Sequence, residues 1–259
     1  MTTILVTGAT DGIGLATARA LAAQGATVLA HGRNPAKLGR VCEELDCEGL
    51  LADLSSMDQV RQLAVGVKEH GFIDVLLHNA GVWCDQHTVT PDGFELTMAV
   101  NHFAPFLLTH LLSESIVAGG RVVTVSSIAH GRGRIHWDDL DLRDNFTPFG
   151  AYAQSKLANI LFANALARRL RPRGITSNSL HPGVIDTKLL RSGFDVQGAP
   201  VDTGSATSVH LALSPDVAKH TGCYFDACRE RIAEPAALDE GAQERFWFRS
   251  GERLGLSVA

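Results

Sequence analysis

The chain has 259 residues, 45% of them hydrophobic and 20% charged, a globular composition that excludes a wholly disordered protein. The 28 acidic and 23 basic residues give a net charge of -5 and lie scattered, so the basic face that nucleic acid binding needs is missing. No apolar run approaches the ~20 residues of a membrane span, and the first residues, Met1-Thr2-Thr3-Ile4-Leu5-Val6, lack the pattern of a secretory signal.

Taken in chain order, residues 4–6 are a short apolar run that ends in a Gly-rich turn. Residues 15–23 read as a helix closed by Gly25, 27–30 as a second strand and 35–45 as a second helix. The alternation continues through 50–51, 57–70 and 75–78 to a long helix expected over 92–112. Residues 122–125, four apolar positions in a row, are the clearest strand; 151–170 is the clearest helix, and 176–180 a further strand. Strands that are apolar throughout belong to a parallel sheet covered on both faces. The expected fold is therefore α/β, a single-domain Rossmann-like doubly wound parallel sheet with helices on both faces. With no repeat and no Pro/Ser-rich linker, residues 1–259 read as one domain.

Two clusters carry chemistry. The first strand runs into Thr7-Gly8-Ala9-Thr10-Asp11-Gly12-Ile13-Gly14. Glycines there let the chain turn sharply and bring bare amides at a helix N-terminus against a pyrophosphate. The spacing G-x-x-x-G-x-G differs from the commoner G-x-G-x-x-G, and a plain turn is the alternative. Its place at the first strand–helix junction favours the nucleotide reading. Farther on, Tyr152 and Lys156 stand four apart on the expected helix and share a face. An ammonium beside a phenol favours the phenolate, so the tyrosine is expected below its usual ~10. Of the five cysteines (Cys42, Cys47, Cys84, Cys223, Cys228) none forms a C-x-x-C pair, and the eleven histidines show no metal-type spacing. Reduced thiols, a cytoplasmic location and no metal are the expectation.

Short motifs follow one another in a fixed order: Thr7-Gly8-x-x-x-Gly12-Ile13-Gly14, Asp53-Leu54, Asn79-Ala80-Gly81, Asn101, Ser127, Tyr152-Ala153-Gln154-Ser155-Lys156 and Pro182-Gly183-Val184-Ile185-Asp186-Thr187. In order and spacing they make the chain resemble the short-chain dehydrogenase/reductase family. Residues 152–162 and 222–229, with the 25-residue step from Ser127 to Tyr152, resemble most the branch of retinol dehydrogenases and the WW-domain-containing oxidoreductase.

The resemblance implies an oxidoreductase that interconverts a carbonyl and an alcohol with a nicotinamide cofactor. Residues 1–125 would mainly hold the cofactor, and 126–259 would supply catalysis and substrate binding. Tyr152 would be the general acid/base, and Lys156 would also bind the nicotinamide ribose. Ser127 would hold the substrate oxygen, and Asn101 would connect Lys156 to a proton-relay water. Neighbouring Ser126 reads as a strand-end packing residue. The cofactor would meet Gly8, Thr10, Asp11, Gly12, Ile13 and Gly14. It would also meet Asp53 and Leu54 at the adenine, Asn79, Ala80 and Gly81 at the adenine ribose, Tyr152, Lys156, Pro182 and Gly183, and Thr187 at the nicotinamide. At the end of the second strand Gly32 stands where an acidic residue would suit a ribose 2′-hydroxyl. Arg33 follows it, and a guanidinium suits a 2′-phosphate by charge and by its forked donors. A merely solvated Arg33 is the alternative, and Asp11 is a counter-signal. NADP(H) is thus favoured over NAD(H).

Two other readings stay open. A cofactor-binding sensor or scaffold would carry a damaged Ser/Tyr/Lys set, whereas this set is intact. An epimerase or dehydratase also uses Tyr-x-x-x-Lys but normally has a sizeable C-terminal domain. The substrate is expected to be an apolar small molecule. Residues 184–200, with Val184, Ile185, Leu189, Leu190, Phe194 and Val196, would form an apolar lid opposite Trp83, and a helix docked permanently on the sheet is the alternative. No fixed anionic group is expected on the substrate, because Lys188 and Arg191 are balanced by Asp186 and Asp195. By kinship a homodimer or homotetramer is expected through the helices at 92–112 and 151–170.

Overall fold

Alternating strands and helices fill the computed structural model, which describes residues 2–258. The first half runs β1 (Thr3–Val6), α1 (Gly12–Ala23), β2 (Thr27–Gly32), α2 (Pro35–Leu45), β3 (Glu48–Leu51), α3 (Met57–His70) and β4 (Ile73–His78). There follow α4 (Leu96–Met98), α5 (Ala104–Leu112), β5 (Ile116–Val125), α6 (Pro148–Leu170) and β6 (Thr176–His181). The last part holds α7 (Lys188–Gly193), α8 (Ala206–Leu213), β7 (Tyr224–Asp226), β8 (Arg229–Arg231), α9 (Pro235–Leu238) and α10 (Glu240–Arg253).

The eight strands form one sheet in the order β3-β2-β1-β4-β5-β6-β7-β8. All neighbours are parallel except β7 and β8, which pair antiparallel. Chain direction across the sheet reverses between β1 and β4, and such a switch point opens a crevice at the carboxyl ends of the strands. Successive side chains of β1 feed two cores: Leu5 packs on one face, Ile4 and Val6 on the other. This is why the strands are apolar throughout. Sequence reasoning found the parallel sheet and most of its strands. It assigned nothing beyond residue 181 apart from the lid, and it missed the antiparallel edge strand.

The helix expected over 92–112 is not continuous. Residues 92–95 lie outside any helix, and between α4 and α5 the chain makes a wide π-helical turn, Ala99–Phe103. Pro105, in the first turn of α5, has no N–H to give the Asn101 carbonyl four residues back. The wider turn accommodates that missing bond and places Asn101 in it. Helix α6 starts earlier than expected because Thr147 caps it, its hydroxyl accepting from the Gly150 N–H at 3.0 Å, with Pro148 in the first turn.

The face expected to meet another subunit is covered by the chain itself. Trp247 of α10 stacks on Phe162 of α6 with an interplanar angle of 7° and also meets Phe106 of α5 at 4.7 Å. His102 lies buried among Phe103, Phe106, Phe162 and Phe246, and its Nε2 is 2.8 Å from the Ser250 hydroxyl, which ties α10 down. Helices α5 and α6 are consequently almost wholly buried within one chain.

The turn after β5 is pressed on α6 at Gly133, where any Cβ would collide with the Ala153 carbonyl. Replacing Gly133 with Ala should therefore cost about 1–3 kcal/mol of stability in urea unfolding, as overpacking does. A neutral result would show that the turn can lift off the helix.

Candidate active site

Helix α1 begins directly beneath the end of β1. Gly8 and Gly12 have φ values of +67° and +52°, a region that L side chains rarely adopt. A Cβ at Gly14 would collide with the Gly8 carbonyl and the Asn79 amide. The turn is held from both flanks. On the β4 side the Asn79 side chain donates to the Thr7 carbonyl at 2.9 Å, and the Thr7 hydroxyl accepts from the Asn79 and Ala80 N–H groups at 3.0 and 3.1 Å. On the β2 side His31 accepts from the Gly8 N–H through Nδ1 (3.1 Å) and donates through Nε2 to the Ala52 carbonyl (3.0 Å). A carbonyl can only accept, which assigns the tautomer. Burial pushes the His31 imidazole down to about 4, so it is neutral at physiological pH.

Asp11 caps α1 by accepting from the Gly12 N–H at 2.9 Å. Its carboxylate also takes Lys188 at 2.7 Å and Lys37 at 2.6 Å, and these two ammonium groups hold it well below the usual carboxylate range. The negative charge that counted against a phosphate is thus offset by two cations.

Ser127 stands two residues beyond the end of β5 and caps a short helical turn, Ile128–Arg132, its hydroxyl accepting from the Ala129 N–H at 3.2 Å. Ser126 points the other way, as strand alternation demands: its hydroxyl donates to the Lys156 carbonyl at 2.7 Å and is buried. Tyr152 and Lys156 share the inner face of α6, with the ammonium 5.5 Å from the ring centroid. Lys156 donates to the Val125 carbonyl at 3.1 Å. Here the expected direction fails for the phenol. Burial pushes Tyr152 up to about 12, although the Ser127 hydroxyl acts the other way, and burial brings Lys156 down to about 8. Desolvation of both groups outweighs their mutual influence.

One cavity of about 670 Å³ is lined by every catalytic and cofactor-binding candidate named from the sequence except Asn101, and the expected lid partner Trp83 is outside its lining. Asn101 lies just behind it. Its Oδ1 accepts from the Val82 N–H at 2.7 Å, and its amide donates to the Val82 carbonyl and the Ser155 hydroxyl. A Cβ at Gly81 would stand 3.3 Å from the Lys156 ammonium and 3.5 Å from Asn101 Oδ1, so only a bare backbone separates the two. At the far end Arg33 is exposed, and no carboxylate pairs with it among the described residues. Asp53 Oδ1 accepts from the Ser55 N–H at 2.9 Å, and Leu54 is buried. Thr187 caps α7 and faces the Gly loop. Bare amides at the start of α1 and the cradle at Gly8 and Gly14 fit a dinucleotide pyrophosphate. His181 Nδ1, buried at the cavity wall without a partner, adds a polar atom beside Pro182 and Gly183.

Several residues here had no usable signal in the sequence. His31 acts across 23 positions, with no periodicity to reveal it. Phe149 and Arg132 line the cleft from segments whose course only the fold defines. One further group has no histidine spacing to mark it: His220, Cys223 and Glu230 bring ligand atoms within 4.8 Å of one another at the sheet edge, with His220 and Glu230 already paired at 3.0 Å.

Residues 2–197 match the family model described as short chain dehydrogenase. The chain is 35% identical over 283 residues to retinol dehydrogenase 13 of Homo sapiens, covering 99% of this chain and 85% of that protein. A crystal structure from Mycobacterium Paratuberculosis superposes with a TM-score of 0.87 at 32% identity, covering 100% of this chain and 95% of that one. A short chain dehydrogenase from Burkholderia cenocepacia J2315 in complex with NADP gives a TM-score of 0.72 at 28% identity, covering 86% and 95%.

His31 yields a pH test. Its folded value of about 4 lies below its ordinary 6.5, so the unfolded chain binds the extra proton first. Its contribution is whole above pH 6.5 and is lost as pH falls from 6.5 towards 4. Urea unfolding across that window should show a smaller loss of stability for His31→Asn than for the unaltered protein. Equal slopes would remove His31 as the titrating group.

Proposed function

The chain belongs to the short-chain dehydrogenase family, and within it we propose an NADP(H)-dependent oxidoreductase that interconverts a ketone or aldehyde and an alcohol on an apolar small molecule. The observation that carries this reading is one cavity with the Gly loop and Arg33 at one end and Ser127, Tyr152 and Lys156 at the other. When bound, the nicotinamide supplies or accepts the hydride. The remaining work falls to the chain. Tyr152 is protonated at neutral pH, as a proton donor to a carbonyl oxygen must be. Ser127 presents a hydroxyl to hold that oxygen as charge develops. Lys156 keeps a cation beneath the phenol and stabilises the phenolate left after proton transfer. Asn101 fixes the backbone at Val82 on the far side of Gly81. On this reading residues 1–125 mainly hold the cofactor, and 126–259 hold the reacting groups and substrate.

Trp83, Phe149 and Phe194 surround Tyr152, with Trp83 5.5 Å and Phe194 6.0 Å from its ring, and they support an apolar substrate. The segment over 184–200 acts as the lid. Its two ends are joined where the Ala199 N–H donates to the Val184 carbonyl, and it is latched to the Gly loop by Lys188 and Asp11. A cytoplasmic location belongs to the same proposal, supported by five unpaired cysteines. So does a homodimer or homotetramer, through surfaces other than α5 and α6. No helix among the described residues is long and apolar enough to cross a membrane.

Two measurements check this. Arg33→Ala should weaken NADPH binding by about 1–3 kcal/mol and leave NADH nearly unchanged in titrations, the cost of losing charge-assisted bonds to a 2′-phosphate. Arg33 is the position to alter, because a Cβ at Gly32 would collide with Thr10 and confound a substitution there. Equal affinity of the unaltered protein for both cofactors would defeat the NADP(H) preference.

Tyr152→Phe should keep the fold and cofactor binding while turnover falls by orders of magnitude in a carbonyl and alcohol panel followed at the nicotinamide absorbance. In the unaltered protein alcohol oxidation should rise with pH, because it needs the phenolate of a group pushed up to about 12. Normal turnover by the Phe variant would displace Tyr152 as the acid.

A further inference from the structure

Building on the carbonyl–alcohol reading, we propose that Arg132 forms an anion subsite in the substrate cleft. The preferred substrate then has an apolar body with a carboxylate at the end remote from the reacting oxygen.

The charges of the cavity are unevenly placed. Its acidic side chains among the described residues, Asp11 and Asp53, both stand at the nucleotide end. The lid cations are neutralised: Lys188 sits on Asp11, and Arg191 on Asp186. Lys156 is buried against the Val125 carbonyl. Arg132 lines the same cavity at the substrate end, is exposed, and has no carboxylate within ion-pair reach among the described residues. The neighbouring acid, Glu234, lies beside Gly131 but makes no ion pair with it. The expectation of a substrate without an anionic group weighed only the lid charges, and these do cancel. The uncancelled charge comes from the turn after Ser127.

An aromatic wall connects that charge to the reacting phenol. Phe194 is 6.0 Å from Tyr152 and 6.2 Å from Phe149, and the Arg132 guanidinium lies 4.8 Å above the Phe149 ring. A guanidinium stacked on a ring still presents its edge donors, and that fork matches the two oxygens of a carboxylate. A single planar fork suits a monoanion better than a phosphate dianion.

The subsite is fixed in the frame of the chemistry. Arg132 closes the Ile128–Arg132 turn that Ser127 caps. Within it His130 donates through Nδ1 to the Ser127 carbonyl at 2.7 Å and accepts the Glu234 N–H at 3.3 Å. The turn that offers a hydroxyl to one end of a substrate therefore offers a guanidinium to the other.

The test uses aryl ketones in matched acid and primary-amide pairs of increasing tether length: benzoylpropionate, benzoylbutyrate and benzoylvalerate with their amides. Calorimetric titration in the presence of NADP⁺ should show the acid binding about three- to tenfold tighter than its amide for at least one tether. Added salt should shrink that ratio. In Arg132→Gln it should fall to about one, and in Arg132→Lys it should be partly kept, because charge remains while the fork is lost. Thermal melts confirm that each variant is folded. Acid and amide binding alike at every tether, or a preference that survives in Arg132→Gln, would overturn the subsite. NADPH oxidation is followed separately: no turnover of any pair counts against the reaction proposed above, while the binding ratio still decides Arg132.

Discussion

Two stretches of backbone cross at Gly8 and Gly14 with no room for a side chain between them, and the cleft is built around that crossing. It turns the first amides of α1 towards the open end of the sheet, where the strand order reverses. Such a crossing exposes polar backbone groups next to a core, and unpaired polar groups there are costly. The chain supplies partners from both neighbours of β1. Asn79 and Thr7 serve the β4 side, and a neutral His31 serves the β2 side. Protonating His31 would remove the lone pair that the Gly8 N–H uses. Its burial and the shape of the turn thus hold one another in place. Asp11 extends the arrangement outward, because the residue that caps α1 also receives Lys188 from the 184–200 segment.

Burial also sets the protonation of Tyr152 and Lys156. A lysine four residues after a tyrosine invites the inference of a lowered phenol. That inference treats the two side chains as charges in water. In the fold Tyr152 is 6% and Lys156 2% exposed, and each is driven towards its neutral form. The Val125 carbonyl accepts from both Lys156 and Asn159, so a single strand-end oxygen carries much of the solvation that the ammonium has left. The outcome is a phenol that keeps its proton at neutral pH beside a lysine brought down to about 8.

What the sequence revealed follows from the range of the interactions involved. The strand runs and the Tyr152/Lys156 face are local patterns of period and spacing, and they were legible. So was the Gly loop, since its glycines answer to backbone geometry within a few residues. The π-helical turn at Asn101 was hidden because the pattern of residues 92–112 is helical, and only Pro105 hints at the break. His31, Phe149 and Arg132 owe their places to contacts between distant segments, for which composition carries no mark. Charge was misjudged for the same reason: Lys188 is balanced not by its sequence neighbour Asp186 but by Asp11, 177 positions away.

The C-terminal helix explains why this long-range assembly can be rigid within one chain. α6 bears Tyr152 and Lys156 on its inner face and would otherwise present an apolar outer face to solvent. α10 covers that outer face with Trp247, whose second side is taken by the Arg169 guanidinium at 4.2 Å. Arg169 and Arg168 both reach Glu244, so the same contact is clamped at its polar rim. Phe246 and Ser250 close on His102, which follows Asn101 directly in the π-helical turn. Packing at the outer face of α6 and the position of Asn101 behind the cleft are therefore coupled through one helix. The site gains its fixed geometry from an α6 that is almost wholly covered.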